Sequence, residues 1–185
     1  MIQQLSQTDP PPRVVAVCIS AGGVPKLPIR RGTITASGVQ GDAHAHAKHI
    51  RPDRAISILD VEIIRQLNAE GFAIRPGTTG ENLSVEGLHV QQMQPGDLLR
   101  IGQVVLRLEE PRKPCFVLDA IDPRLKHEIV GRCGYMASVV RGGTIRPGMT
   151  IHCHAEAPAM AADRDEKIID GAVALSHFLK KGTLR

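Results

Sequence analysis

Glycine and proline cut this chain into short pieces, and that punctuation limits what it can become. Turn formers recur from Ala21-Gly22-Gly23 through Gly38, Gly71, Pro76-Gly77, Gly80, Gly87, Pro95-Gly96, Gly102, Gly131 and Gly142-Gly143 to Pro147-Gly148. Such residues supply left-handed or fixed torsions at turns and weaken long helices. With 18 Gly and 13 Pro among 185 residues, a fold of long helices is excluded and a turn-rich globular one follows. The length suits one well-packed domain with a short appendage.

The apolar runs between the turns have strand character. Val14–Ser20 is rich in β-branched residues and reads as a buried strand with Cys18 in its core. Thr33–Thr35, Arg54–Leu59, Leu98–Ile101 and Tyr135–Val140 follow, with Ile145–His152 as a last segment broken by Pro147-Gly148. Val104, Leu106 and Leu108 alternate with Val105, Arg107 and Glu109, the period of a half-buried strand. Asp60 has the residue type of a helix N-cap, Val61, Ile64 and Leu67 form a buried stripe behind it, and Gly71 stops that helix. Asp122-Pro123 opens a second short helix with Leu125 and Ile129 on one side.

These elements predict a mainly β fold, a barrel rather than a sandwich, with a few short helices. Residues 1–12, polar and ending in three prolines, are expected to form an arm, and residues 13–154 the barrel domain. Residues 155–185 are expected to form a helical extension. Ile168, Ala172, Leu175 and Leu179 share one stripe there, suited to packing on the barrel or to making a homodimer.

Composition excludes some functions. No Trp, one Tyr and three Phe leave little for stacking bases, so a single-stranded nucleic-acid module is not expected. A formal charge of +4 spread along the chain suits a small anionic ligand. The start lacks a basic leader with an apolar stretch, and Val14–Ile19 is too short to span a bilayer, so a cytoplasmic protein without a membrane segment is expected. The four cysteines contain no C-x-x-C pair, which gives no sign of a zinc knuckle or thioredoxin-type motif.

Three stretches carry candidate chemistry. Glu109-Glu110-Pro111-Arg112-Lys113-Pro114-Cys115-Phe116-Val117 brackets a basic pair with prolines, as in a rigid turn leaving a strand. Cations beside a thiol favour the thiolate, so Cys115 is a candidate nucleophile or soft-metal ligand, set against the plain alternative of a small buried hydrophobe. In Gly41-Asp42-Ala43-His44-Ala45-His46 an extended backbone puts Asp42, His44 and His46 on one face. Those residues suit a zinc site, a polar pocket wall or an exposed loop. Thr78, Thr79, Glu81 and Asn82 lie at a glycine-rich bend and suit either polar recognition of a heterocycle or simply the turn itself, which favours such residues. Lys26, Arg30 and Arg31, on proline-stiffened backbone, belong either to an anion-binding rim or to a solvated connecting loop.

Five ordered pieces together resemble the MOSC domain, the family named for the C-terminal region of molybdenum cofactor sulfurases. They are Gly22-Gly23-Val24-Pro25-Lys26, Gly38-Val39-Gln40-Gly41-Asp42, Pro76-Gly77-Thr78-Thr79-Gly80-Glu81-Asn82-Leu83, Pro111-Arg112-Lys113-Pro114-Cys115 and Gly134–Gly143, spread over Val14 to Ile151. The resemblance implies a barrel-like fold and a site around Cys115 that ligates the molybdenum of a pterin cofactor. It also implies that Lys26, Arg112, Lys113, Thr79, Glu81 and Asn82 line the cofactor pocket, with Asp42 at the family's acidic position. Gly148-Met149 stands where many relatives have Gly-Asp.

The expected activity is reduction of N-hydroxylated small molecules, with electrons from a separate reductase and a proton from Asp42 or His44. A second expectation, from another class, is a sulfur carrier holding a persulfide on Cys115. A third is a zinc-dependent hydrolase built on Asp42, His44 and His46. No aminotransferase-like, pyridoxal phosphate-dependent domain is expected, so the chain would not itself extract sulfur from cysteine.

Overall fold

The computed structural model describes residues 10–43 and 51–154. The first strand, β1 (Arg13–Ile19), is mostly buried, with Val14 and the run Ala16, Val17 and Cys18 inside. β2 (Leu27–Ile29) pairs with its second half, and β3 (Gly32–Thr35) and β4 (Gly38–Val39) form a hairpin after it. β5 (Ile56–Asp60) leads directly into α1 (Val61–Ala69), which crosses to β6 (Leu83–Glu86), parallel to β5. β7 (Leu98–Ile101) and β8 (Val104–Pro111) form a hairpin, α2 (Leu125–Glu128) follows, and β9 (Tyr135–Arg141) returns between β8 and β5. β10 (Gly143–Ile145) pairs with β3, and β11 (His152–His154) pairs with β7.

Among the described residues this gives one sheet in the order β11-β7-β8-β9-β5-β6-β1-β2 and a smaller one, β10-β3-β4. The large sheet curls into a half-barrel, and backbone hydrogen bonds bring its ends together. Val14 N–H donates to the Met149 carbonyl (2.9 Å), Gly148 N–H to Val14 (2.8 Å) and Ile151 N–H to Pro12 (2.7 Å). Pro12, the last residue of the expected arm, is therefore a buried part of this junction.

Two cores follow from the strand period. Val14, Val17, Ile56, Ile58, Leu83, Val85 and the inward residues of β7 and β8 fill the barrel. Leu59 faces the other way, into a second cluster with Val61, Ile64 and Leu67 of α1, Leu125 and Ile129 around α2, and Cys133. β5 is consequently buried on both faces, as a strand covered by a crossover helix must be.

Among the described residues, the mainly β half-barrel with two short α-helices agrees with expectation. Three local readings are corrected. Asp60 stands at the N-cap of α1 but makes no capping bond there; its Oδ2 accepts instead from Val90 N–H at 2.7 Å. Leu27-Pro28-Ile29 is a strand, not a connecting loop, and tolerates Pro28 because it lies at the end of the sheet order. Glu109, Glu110 and Pro111 belong to β8, and Arg112 N–H adds one more bond to the ladder, so only the residues from Lys113 onward leave it. The expected helix over 165–181 lies outside the described residues, and no described helix is long and apolar enough to cross a membrane.

Candidate functional site

The open end of β1 gathers side chains from distant parts of the chain. Lys26, just before β2, is anchored by its N–H to the Gly77 carbonyl at 2.8 Å. That contact requires glycine: Gly77 has φ 85°, and a Cβ there would sit 2.2 Å from the Lys26 carbonyl oxygen. The Lys26 ammonium, almost buried, forms an ion pair with Asp42 Oδ2. Asp42 Oδ1 accepts from Ser20 N–H (2.9 Å), and Oδ2 also accepts from Asn82 Nδ2 (2.8 Å). Burial lowers the Lys26 pKa, and the Asp42 carboxylate opposes that shift.

Asn82 is the hub beneath this pair. Its Oδ1 accepts from Ser57 N–H (3.2 Å) and Ser57 Oγ (3.0 Å), while Nδ2 also reaches the Cys18 carbonyl (3.2 Å). One amide thus ties β1, β5 and the start of β6 to Asp42. Glu81, fully buried, buttresses the preceding turn: Oε1 accepts from Gly77 N–H (2.6 Å) and Ser84 Oγ (2.9 Å), and Oε2 from Thr79 Oγ1 (2.7 Å). Thr79 passes this support onward, because its Oγ1 accepts from Arg112 Nη1 at 3.2 Å and its carbonyl accepts from Arg112 Nη2.

Arg112 continues the β8–β9 ladder by one bond, N–H to the Gly134 carbonyl at 2.8 Å, before the chain turns through Lys113 and Pro114 to Cys115. Cys115 is exposed and opens a 3-10 turn, Phe116–Ala120. Its loop forms one side of a cavity of about 430 Å³, with Lys26, Asn82, Arg112 and Lys113 among the polar lining and Val24 and Met136 among the apolar.

The structure therefore brings Cys115, Lys26, Asn82, Arg112 and Lys113 to one cavity. Asp42, Thr79 and Glu81 lie behind its wall and hold the lining residues in place. His44 and His46 lie outside the described residues, though the wall includes Ala43, whose N–H donates to Ser20 at 2.8 Å. Among the described residues no three His, Cys, Asp or Glu side chains gather as a metal site. Arg30 and Arg31 are exposed and do not line the cavity.

Cys18 is a buried thiol, as expected of a core cysteine, and Cys133 is buried too. Burial, with Glu81 nearby, pushes the Cys18 thiol up to about 12, and burial also raises Cys133.

Sequence reasoning missed a pair on the same wall. Arg54, from the 3-10 turn Pro52–Arg54, meets Glu110 of β8 at 2.6 Å, and both line the cavity. It pins the entry to β5 against the strand that delivers Cys115. The only local signal was a charged residue flanking each apolar run, which strands show routinely.

The exposed thiol, the basic residues beside it and the carboxylates behind them meet at one cavity of a β half-barrel domain. The family model described as the MOSC domain matches residues 45–152, more than half of the 185, and the chain belongs to that family. The motif pieces around Lys26 and Asp42 precede the matched range, yet the hydrogen bonds above build them into its site.

Protein YiiM of Escherichia coli is 30% identical over 121 residues, which are 60% of this chain and 54% of that protein. A protein named Reductase, from Gibberella moniliformis, is 34% identical over 126 residues, 63% of this chain and 22% of that one. The chain thus spans about half of the first relative and about a fifth of the second. The crystal structure of the YUAD protein from Bacillus subtilis matches the fold with a TM-score of 0.66 at 20% identity, over 78% of this chain and 96% of that one.

Proposed function

We propose that this chain holds a molybdenum–pterin cofactor in the cavity, with Cys115 as the protein ligand to the metal, and uses it to reduce N-hydroxylated small molecules. The observation that carries this reading is the convergence of an exposed thiol with Lys26, Arg112 and Lys113 on one cavity. A thiolate is a soft ligand suited to such a metal, and a guanidinium and ammonium groups suit the phosphate of a pterin cofactor. The donor set therefore fits the group. The relative named Reductase supports the direction of the chemistry.

When bound, the cofactor supplies a two-electron centre, and electrons come from a separate reductase. Overall, an N–OH group takes up two electrons and two protons to give N–H and water. The chain's own residues bind and orient. Thr79 and Glu81 fix Arg112, and Gly77 fixes Lys26. Asp42, with both oxygens taken by Ser20, Lys26 and Asn82, keeps the Lys26 ammonium directed by a fixed negative charge. Any proton leaving this pair toward the cavity leaves from Lys26 Nζ, because Lys26 lines the cavity and Asp42 does not.

The test is the molybdenum and pterin content of protein made in a host that synthesises the cofactor, beside Cys115→Ser. Metal and pterin near one per chain, with the metal lost in the variant, support the reading. Equal metal in both proteins removes Cys115 as ligand. A second reading, a persulfide carrier, is favoured by the exposure of Cys115. It predicts neither metal nor pterin, and a sulfane-sulfur mass increment on Cys115 that a reducing agent removes.

A further inference from the structure

The outer face of the sheet beside the cavity is basic. In β7 and β8 the inward residues Leu99, Ile101, Val104, Leu106 and Leu108 are fully buried, so the residues between them point away from the barrel. Strand register lines those up with the flanking strands in two adjacent rows, His152–Arg100–Val105–Arg141 and His154–Leu98–Arg107–Ser138. Arg100, Arg141, His152 and His154 are exposed, and among the described residues none of the four is ion-paired. Arg141 Nε donates to the Gln103 carbonyl at 2.7 Å, which ties it to the β7–β8 turn. The acids at the border are occupied: Glu109 accepts from Ser138 Oγ at 2.5 Å, and Glu110 pairs with Arg54.

This face is continuous with the cavity. Met136 lines the cavity, and Ser138 follows it on the same side of β9, about 7 Å along the strand. Val140, 60% exposed, sits in the bulge between Val139 and Arg141 and gives the face an apolar spot. A partner lying on the two rows therefore reaches the cavity mouth without crossing the barrel core.

We propose that this face docks an acidic electron-carrier protein, which delivers electrons to the cavity beside Met136. The inference rests on the reductive reading above, in which electrons come from outside the chain. Two visits, each oxidising one carrier by one electron, match the two electrons taken up by an N–OH group, with both protons drawn from water. Surface cations without a local counter-charge steer an acidic protein to the correct side, and arginine is enriched where proteins meet. A single-stranded nucleic acid finds no aromatic in either row to stack on. A membrane finds one large exposed apolar side chain, Val140, where an amphipathic anchor would need a stripe.

The test uses the whole protein without cofactor, isotope-labelled for NMR and titrated with oxidised flavodoxin, an acidic flavoprotein carrier. Amide shifts should concentrate in Leu98–Ile101, Val105–Arg107, Ser138–Arg141 and His152–His154. Affinity should fall about tenfold or more between about 50 and about 300 mM salt. Arg100→Glu with His152→Glu, both outside the cavity, should weaken binding about tenfold while leaving the urea midpoint unchanged. No binding at about 1 mM flavodoxin, shifts on another face, or equal affinity in the double variant overturns the proposal. So does tighter binding of a short DNA duplex or of phosphatidylglycerol vesicles through the same amides. Molybdenum and pterin content is measured separately, so a chain that holds no cofactor fails the earlier reading without altering this titration.

Discussion

Replacing Asp42 by Asn probes the ion pair on which the cavity wall depends. The Asp42 side chain is 3% exposed and that of Lys26 10%, so removing the carboxylate charge leaves an ammonium stranded out of water. Breaking a buried pair from one side costs about 3–5 kcal/mol, a large part of a domain's roughly 5–15 kcal/mol. Asparagine keeps an acceptor for Ser20 N–H, but its amide nitrogen then faces Lys26 Nζ and Asn82 Nδ2, both donors.

The loss has a pH signature. Burial already lowers the Lys26 pKa while Asp42 pulls it up, so in Asp42→Asn it falls further. The unfolded chain, with an ordinary lysine, then binds more protons than the native state between the depressed folded pKa and the unfolded one. Stability of the variant therefore rises with pH across that window. Urea unfolding at pH 7 should show the variant about 3–5 kcal/mol below wild type, a midpoint shift above roughly 1 M at an ordinary m-value, and the gap should narrow by about pH 9.5. Lys26→Met in the Asp42→Asn background should recover much of the loss. A pH 7 gap under about 1 kcal/mol, or a double variant no more stable than Asp42→Asn, refutes the burial argument.

Other substitutions test the supporting shell. Gly134→Ala would put a Cβ 2.0 Å from the Ile58 carbonyl oxygen at φ 87°, and should lower stability by about 3 kcal/mol or more in a denaturant titration; a loss within about 0.5 kcal/mol contradicts the close approach. Thr79→Val should lose about 1–3 kcal/mol, because Glu81 Oε2 and Arg112 Nη1 each lose their Thr79 hydroxyl contact; an unchanged thermal midpoint would show that this relay carries no load. In native protein at pH 8, alkylation mapped by mass spectrometry should mark Cys115 well before Cys18, whose thiol is pushed up to about 12 and is buried; equal rates would place Cys18 in contact with solvent.

Elements governed by local pattern were legible from residues alone. Leu98–Ile101 is a strand with those bounds, and Val61, Ile64 and Leu67 are the buried stripe of α1, because period and burial are short-range signals. Readings failed where a distant partner decides. Asp60 has the right type for a cap, but Val90 N–H, thirty residues on, takes its oxygen. Leu27-Pro28-Ile29 reads as a loop until β1 supplies the ladder.

The site shows the same division. Cys115, Lys26, Asn82 and Arg112 could each be named from motif pieces, yet nothing local tells that Asn82 bonds Asp42 or that Glu81 turns inward to hold a bend. Arg54 and Glu110 were invisible because their meeting depends on how a turn is laid against a strand more than fifty residues later.

The bond between Ile151 N–H and the Pro12 carbonyl has a consequence for how such a domain is carried by longer chains. Entry and exit of the half-barrel lie side by side, so the unit can be spliced into a host loop without stretching it. Its two ends can also be joined by a short linker and the chain reopened at the Gly102 turn, giving a circular permutant with the same ladders. A cysteine loop, a basic wall and their buried supports would then travel together as one cassette, with both attachment points at the seam.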